Sequence, residues 1–462
     1  MLTKFWRKVL FIIQGLIHST TGLFSSKFSL CTKDKNILET HPDINTINNH
    51  CGLFKTIDSS VLNEVIHILS KRFNTDIQIK SITQLSKPKR RNLILRIRLQ
   101  NLSNGTAKSL IFKQALQKNF FEDNKKAFNR FVRDSTALVF LNNLKTKSSH
   151  APQLYGYSTK YRFILLEDLG EKHISLVDSL TGGNASDAKA ALERFIKHLG
   201  QLHSDSYGQT SKYLEILHTM NPDVTSWQED LKTTLNDTLF KIESVLKHIN
   251  VSYTKELETE INIVIKAVLK PGPFITFIHG DICPDNVFDD PGENELRLID
   301  FECSFTRSAL LDGVYLRMSM PTCWCAKTIP EDLIESLELI YRKELVKHIP
   351  QARDDESYHT AYAYACAFWM LKTILNIEKL FDKDKLWGSG GVPEKSLWKA
   401  ETNLGRPRVL SHLNAFIGVS KKYNKLPHIR SMAEQILKDL QVRWYGSKPM
   451  DIYPSLCIRN MK

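Results

Sequence analysis

The 462-residue chain is short of the residues that define several large protein classes. Its eight cysteines stand at 31, 51, 283, 303, 323, 325, 366 and 457, and no Cys-x-x-Cys pair occurs among them. A zinc module shows ligands at recurring short spacings, and no such cluster appears along the chain. A disulfide scaffold does not fit a chain this long with so few cysteines, which read as mostly reduced and buried, as suits an intracellular, cytoplasmic protein. Gly 20 and Pro 16 are too few for a fibrous or low-complexity sequence. No apolar run reaches the ~20 residues that a membrane span needs. Acidic residues are the minority charge, 50 against 63 Lys+Arg, which leaves a formal net charge of +13. That excess favours an anionic partner. Nucleic acid is not the expected one, because neither a zinc finger nor an aromatic RNA-binding motif accompanies the basic residues. What remains is ordinary: 42% hydrophobic and 24% charged residues, enough for a core of normal size.

The N-terminus carries its own pattern. Lys4, Arg7 and Lys8 precede Val9-Leu10-Phe11-Ile12-Ile13, and Gln14 interrupts the run. No A-x-A-like cleavage site follows. Three readings stay open: a helix that packs on the protein or is disordered, a membrane-surface or targeting segment, and a cleaved signal. The second implies peripheral membrane contact through the N-terminal helix. Residues 1–55 thus read as a basic, apolar helix followed by a polar linker.

Beyond them the chain divides at about 168. Residues 56–168 are rich in strand signals. Val61, Val65 and Leu69 mark an amphipathic helix. Ile77–Ile82 and Leu93–Leu99 alternate apolar and polar residues at period two, and Asn104-Gly105 marks a hairpin turn before Ser109–Lys113. A helix is predicted over 128–142, a connection over 152–160 and a central apolar strand over 162–167. Residues 169–462 read as helical, at 187–205, 225–248, 254–269, 331–348, 356–380 and 428–444. The exception is 274–305, where two short apolar strands flank polar loops.

The reactive residues lie in that exception. Phe277-Ile278-His279-Gly280-Asp281 runs into Ile282-Cys283-Pro284-Asp285-Asn286, and ten residues later comes Ile299-Asp300-Phe301-Glu302. Carboxylates and a carboxamide at strand ends can face a cleft from rigid supports. Oxygen donors of this kind are what Mg²⁺ takes, usually one or two carboxylates together with substrate phosphates. Asp300 and Asn286 can supply them, which leaves Asp281 to accept a proton.

The ordered set His279, Asp281, Asn286 and Asp300 resembles the protein-kinase-like catalytic set, Asp-x-x-x-x-Asn followed by a strand and Asp. His-Gly-Asp and Asp-Phe-Glu resemble its small-molecule branch, the aminoglycoside phosphotransferase, choline kinase and ecdysteroid-kinase-like superfamily. The resemblance implies a bilobal α+β fold with a small antiparallel-sheet N-lobe and a larger, mostly helical C-lobe. It implies an ATP- and Mg²⁺-dependent phosphotransferase acting on a hydroxyl of a small molecule. The competing class is a non-catalytic, pseudokinase-like nucleotide-binding protein.

Under the resemblance, Asp281 is the base and His279 steadies its loop, while Asn286 and Asp300 hold the metal. Lys113 contacts the α/β-phosphates. Asp134 stands where relatives carry the glutamate that pairs with this lysine and is one methylene shorter; a solvated helix residue is the bland alternative. Glu167, Asp168 and Leu169 form the hinge whose backbone would bond adenine. His203, in Leu199-Gly200-Gln201-Leu202-His203, reads as structural. Asn92 keeps its place after the phosphate-covering loop, but Lys87-Pro88-Lys89-Arg90-Arg91 replaces the usual glycines. Those cations fit phosphate contact, a solvated loop, or contact with an anionic acceptor or lipid. Trp227, Trp324 and Trp369 are candidates for core or for the wall of an acceptor pocket.

Overall fold

The computed structural model describes residues 57–457 apart from 87–89, 101–104, 117–123, 147–148, 171, 224–226 and 388–402. The basic N-terminal stretch, its linker, Lys87–Lys89 and the Asn101–Asn104 part of the hairpin lie outside the described residues.

A five-stranded antiparallel sheet opens the described chain, with strands β1 (Gln78–Gln84), β2 (Asn92–Gln100), β3 (Ser109–Ala115), β4 (Leu154–Ser158) and β5 (Phe163–Glu167) in the order β1-β2-β3-β5-β4. Period-two alternation gives each strand two faces. On β2 and β3, Leu93, Leu95, Ile97, Leu110 and Phe112 are buried against Val65 and Leu69 of helix Ser59–Phe73. That helix starts on Asp58, whose side chain accepts from Ser60 N, and ends at Asn74 in the left-handed conformation. The opposite face presents Ile94, Arg96, Ile111 and Lys113 to a cavity.

Strand β5 has no polar face over Phe163–Leu166, because two cores meet on it. Phe163 and Leu165 belong to the small core under helix Ser59–Phe73. Ile164 and Leu166 belong to the large core, which runs through helix Asn124–Asn142 and all the helices that follow. The segment read as a connection over 152–160 contains β4, an edge strand paired with β5. Only its Ser158 is fully buried, so no strong alternation announces it.

The large, mostly helical part holds two small sheets. Strands β6 (Ile174–Ser175), β8 (Val287–Asp290) and β9 (Glu295–Leu298) form one, and β7 (Ile275–Ile278) with β10 (Phe305–Ser308) forms the other. The stretch 274–305 therefore contains three strands and the start of a fourth rather than the two expected, each only four residues long. All six predicted helices are present, with ends shifted by a few residues; the one read over 356–380 stops at Ile374 before a separate 3-10 turn, Ile377–Leu380. Helices Leu176–Thr181, Thr210–Met220 and Gly405–Tyr423 were not expected. The last of these buries Arg408, Ser411, His412 and Ser420 among its apolar residues, which blurs the apolar period. Among the described residues no helix is long and apolar enough to cross a membrane.

Candidate functional site

The predicted residues converge on one cleft. Lys113 projects from β3, where its Cα is paired with Ile94 and Ile164. Its Nζ lies 2.6 Å from Asp134 Oδ2 and 2.5 Å from Asp300 Oδ1. Asp134 is 5% exposed, so it is not a solvated helix residue. Its missing methylene is no obstacle, because helix Asn124–Asn142 brings the shorter carboxylate into direct contact. The second oxygen of Asp134 accepts from Phe301 N at 3.0 Å. One carboxylate thus ties the lysine to the backbone of the Asp300 loop.

Burial opposes the ionised forms of this triad: charge proximity wins at Lys113 and Asp300, whereas at Asp134 burial prevails and pushes the carboxyl above the usual carboxylate range. Two carboxylates hold the Lys113 ammonium well above the usual lysine range despite its burial. Burial likewise opposes the ionised Asp300, yet Lys113 holds its carboxyl below the usual carboxylate range. Asp300 adopts φ 65°, the left-handed region, which costs a non-glycine residue of order 1 kcal/mol or more.

Asn286, at the end of the loop that begins at His279, lines the same cleft, while His279 and Asp281 are not among the cavity's lining residues. His279 is fully buried and donates from Nε2 to Ile299 O at 2.9 Å, which leaves Nδ1 to accept from Asp281 N at 3.4 Å. Asn286 donates from Nδ2 to Asp281 O at 3.0 Å, so its carbonyl oxygen is the atom left for a cation. Gly280 has φ 77°, and a Cβ there would lie 2.5 Å from Cys303 O. The two loops approach too closely for any side chain at 280.

Several contacts were not legible beforehand. Asp312, fully buried, accepts from His279 N at 2.6 Å and from Gly280 N at 3.1 Å. A lone carboxylate in the apolar run Ala309–Leu316 was its only signal. Thr322 donates from Oγ1 to Asp281 Oδ1, and Cys283 Sγ reaches the same oxygen at 3.3 Å. Arg91 forms an ion pair with Glu302, whose side chain is only 4% exposed. Burial, reinforced by the neighbouring Asp300 charge, pushes the Glu302 carboxyl up to about 7.

The cleft is a cavity of about 340 Å³ lined at one end by Lys113, Asp134, Asn286 and Asp300. Ile94 and Ile111 from the sheet and Phe288 and Ile299 from the helical part supply its apolar walls. Asn92 lines it, as do Glu167, Asp168 and Leu169. The Asp168 carboxylate is committed to Arg96 and Ser109, at 2.9 and 2.7 Å, and the Glu167 carboxylate accepts from Gln153 N. The backbone is partly taken as well: Glu167 N donates to Gln153 O at 2.8 Å, and Leu169 O accepts from His173 Nδ1 at 2.9 Å. His203 donates or accepts at Tyr341 Oη, 2.7 Å away, inside the core. Trp369 is also core and donates to Leu311 O, while Trp324 donates to Asp285 Oδ2 at 2.6 Å. The Trp227 side chain lies outside the described residues.

A five-stranded antiparallel sheet over a helical body, with a lysine, a helix carboxylate and two aspartate loops meeting between them, defines a protein-kinase-like fold. The model of the ecdysteroid kinase-like family matches residues 75–353, more than half of the chain, and the chain belongs to that family. The match begins inside the stretch of about 60–310 that the resemblance covers and runs past its end, to 353. No curated protein matches. Among solved structures, a choline kinase of Streptococcus pneumoniae is 14% identical with a TM-score of 0.38, covering 78% of this chain and all of its own. A choline kinase of Cryptosporidium parvum is 13% identical with a TM-score of 0.41, covering 82% of this chain and 99% of its own. An ethanolamine kinase of Plasmodium vivax is 12% identical with a TM-score of 0.39, covering 76% and 84%.

Proposed function

We propose that this chain transfers the γ-phosphoryl group of ATP to a hydroxyl of a small molecule. The observation that carries the reading is the meeting of Lys113, Asp134, Asn286 and Asp300 at one end of a single cavity, with Asp281 on the adjoining loop. Residues 56–168 would cover the nucleotide, and 169–462 would carry the reactive loops and the acceptor. The apolar lining of Ile94, Ile111, Phe288 and Ile299 suits adenine, with the backbone of Asp168 and Leu169 as its polar edge.

The donor set fits a hard divalent cation: an ionised Asp300 and the free carbonyl oxygen of Asn286 are oxygen ligands of the kind Mg²⁺ takes. Mg²⁺ held there would neutralise phosphate charge in a loose transition state. Lys113 would hold the α/β-phosphates. Asp281 would orient the acceptor hydroxyl and take its proton as the new oxygen–phosphorus bond forms and ADP leaves. Thr322 fixes one Asp281 oxygen, and His279 fixes the backbone behind it. Asn92 and Arg91 stand where a phosphate-covering loop would close.

The glycine-free Lys87–Arg91 stretch favours a second reading, a nucleotide-binding protein without turnover. The formed Lys113–Asp134 pair removes the other ground for it. The test is thermal shift with ATP, with and without Mg²⁺, on the wild type and Asp300→Ala. Stabilisation by Mg²⁺–ATP in the wild type and its loss in the variant are expected. An unmoved wild type refutes the reading. Screening labelled ATP against a metabolite library then separates the two readings, because the second one shows no labelled product.

A further inference from the structure

Beside Asp281 lies a group of two buried thiols and a partly buried carboxylate that phosphoryl transfer does not use. Cys283, Asp285 and Cys323 each offer one ligand atom, and these atoms all lie within 4.8 Å of one another. Cys283 and Cys323 are free and buried, at 5% and 0% exposure. They are forty positions apart, so no spacing motif announces them, and the fold alone brings them together. Thiolate and carboxylate ligands in a tight group suit a borderline-soft divalent cation of the Zn²⁺ class and not Mg²⁺.

Three further observations point the same way. Asp285 Oδ1 is buried and has no hydrogen-bond partner among the described residues, while its Oδ2 is held by Trp324 Nε1 at 2.6 Å. An orphaned buried carboxylate oxygen is costly unless something accepts its charge. The indole that orients Asp285 lies between Cys323 and Cys325, so one short segment carries both a thiol ligand and the group that positions the carboxylate. Finally, Arg408 is fully buried, donates to Met320 O, Cys323 O and Asn403 Oδ1, and faces the Trp387 ring at 5.3 Å, with no carboxylate partner among the described residues. A buried cation whose partners are all neutral is expensive. A divalent ion bound by two thiolates and one carboxylate carries a net charge of −1, which Arg408 balances.

We propose that Cys283, Cys323 and Asp285 form a structural site for a Zn²⁺-class cation, which clamps the Asp281–Asn286 loop to the 322–325 segment. Binding displaces one proton from each thiol to solvent, and water completes a tetrahedral set. Coordination also takes away the proton that Cys283 shares with Asp281 Oδ1, so of these two donors only Thr322, which already donates to that oxygen, is kept. The inference does not rest on phosphotransfer: a chain that binds no nucleotide has the same ligands.

The experiment titrates the reduced full-length protein with Co²⁺ and then Zn²⁺. One equivalent of Co²⁺ is expected to give a thiolate-to-metal charge-transfer band in the near ultraviolet, which Zn²⁺ abolishes. The double variant Cys283→Ser/Cys323→Ser is expected to lose the band, and Cys366→Ser, altered elsewhere in the core, to keep it. X-ray absorption of the Zn²⁺-loaded wild type needs no variant and is expected to show two sulfur neighbours at about 2.3 Å with lighter ones. The proposal is overturned by a wild type that gives no band, by a folded double variant that keeps it, or by a zinc shell without sulfur. A Cys323–Cys325 disulfide found by mass spectrometry in freshly purified protein that binds no metal also overturns it; those sulfurs stand 2.9 Å apart.

Discussion

The two flanks of Asp281 are built from different chemistry. Toward Lys113 the groups are hard and charged: an ammonium, two carboxylates and a carboxamide at the end of an open cavity. Toward Cys323 they are soft and mostly neutral: thiols, Tyr315, Thr322 and an indole, with Tyr315 Oη 2.5 Å from Thr322 Oγ1 and 3.3 Å from Cys283 Sγ. Polyphosphate is the same in every reaction that uses ATP, and charge is enough to hold it. The other flank has no such common object, so nothing constrains it to a familiar pattern. One reactive loop therefore carries one side that a motif describes and one that only this chain's fold describes.

Each side can be broken separately. On the proposed reading, Asp281→Asn should lower turnover about 10²–10⁴-fold, the usual worth of a positioned base, while nucleotide affinity by calorimetry stays within a few fold. Equal loss of both would mean that Asp281 belongs to the nucleotide side alone. Lys113→Ala leaves Asp134 and Asp300 facing each other without a cation. Removing one member of a buried ion pair costs about 3–5 kcal/mol, read as a lower urea midpoint. Adding Asp134→Asn to it should restore part of that loss.

The next effect is in pH. Glu302 titrates at about 7 in the fold against 4.5 unfolded. Between those values the folded state binds more protons, so its contribution is full below pH 4.5 and is lost as pH rises to 7. The loss amounts to about 3 kcal/mol at most, and Glu302→Gln should flatten stability over that window. A variant with the wild-type slope would mean that Arg91 keeps Glu302 ionised throughout. The smallest effect belongs to the soft flank. Thr322→Val removes one donor to Asp281 and should cost roughly 1.5–3 kcal/mol in the activation barrier, a 10- to 100-fold drop in kcat, with KM for ATP unchanged.

What was readable in advance follows the same divide. Asp281, Asn286 and Asp300 were readable from their spacing around short apolar strands, and Lys113 from a strand signal together with the resemblance to the kinase-like set. The Asp134 contact was not readable, because a one-methylene shortfall is resolved only by where a helix packs. Asp312 and Thr322 act through pairings thirty to forty residues apart, which no local period records. The five-stranded sheet was mostly visible in its alternation, except β4, whose partly exposed residues carry little signal. Helix Gly405–Tyr423 was hidden by the polar groups that it buries.

Strand β5 couples the two lobes mechanically. Its odd-numbered residues stabilise the small core and its even-numbered ones the large core, through one stretch of backbone. Neither lobe can therefore be lost without stripping one face of the other's strand, and the two should melt in a single transition. Amides of Phe163–Leu166 should exchange with solvent only when the whole molecule opens.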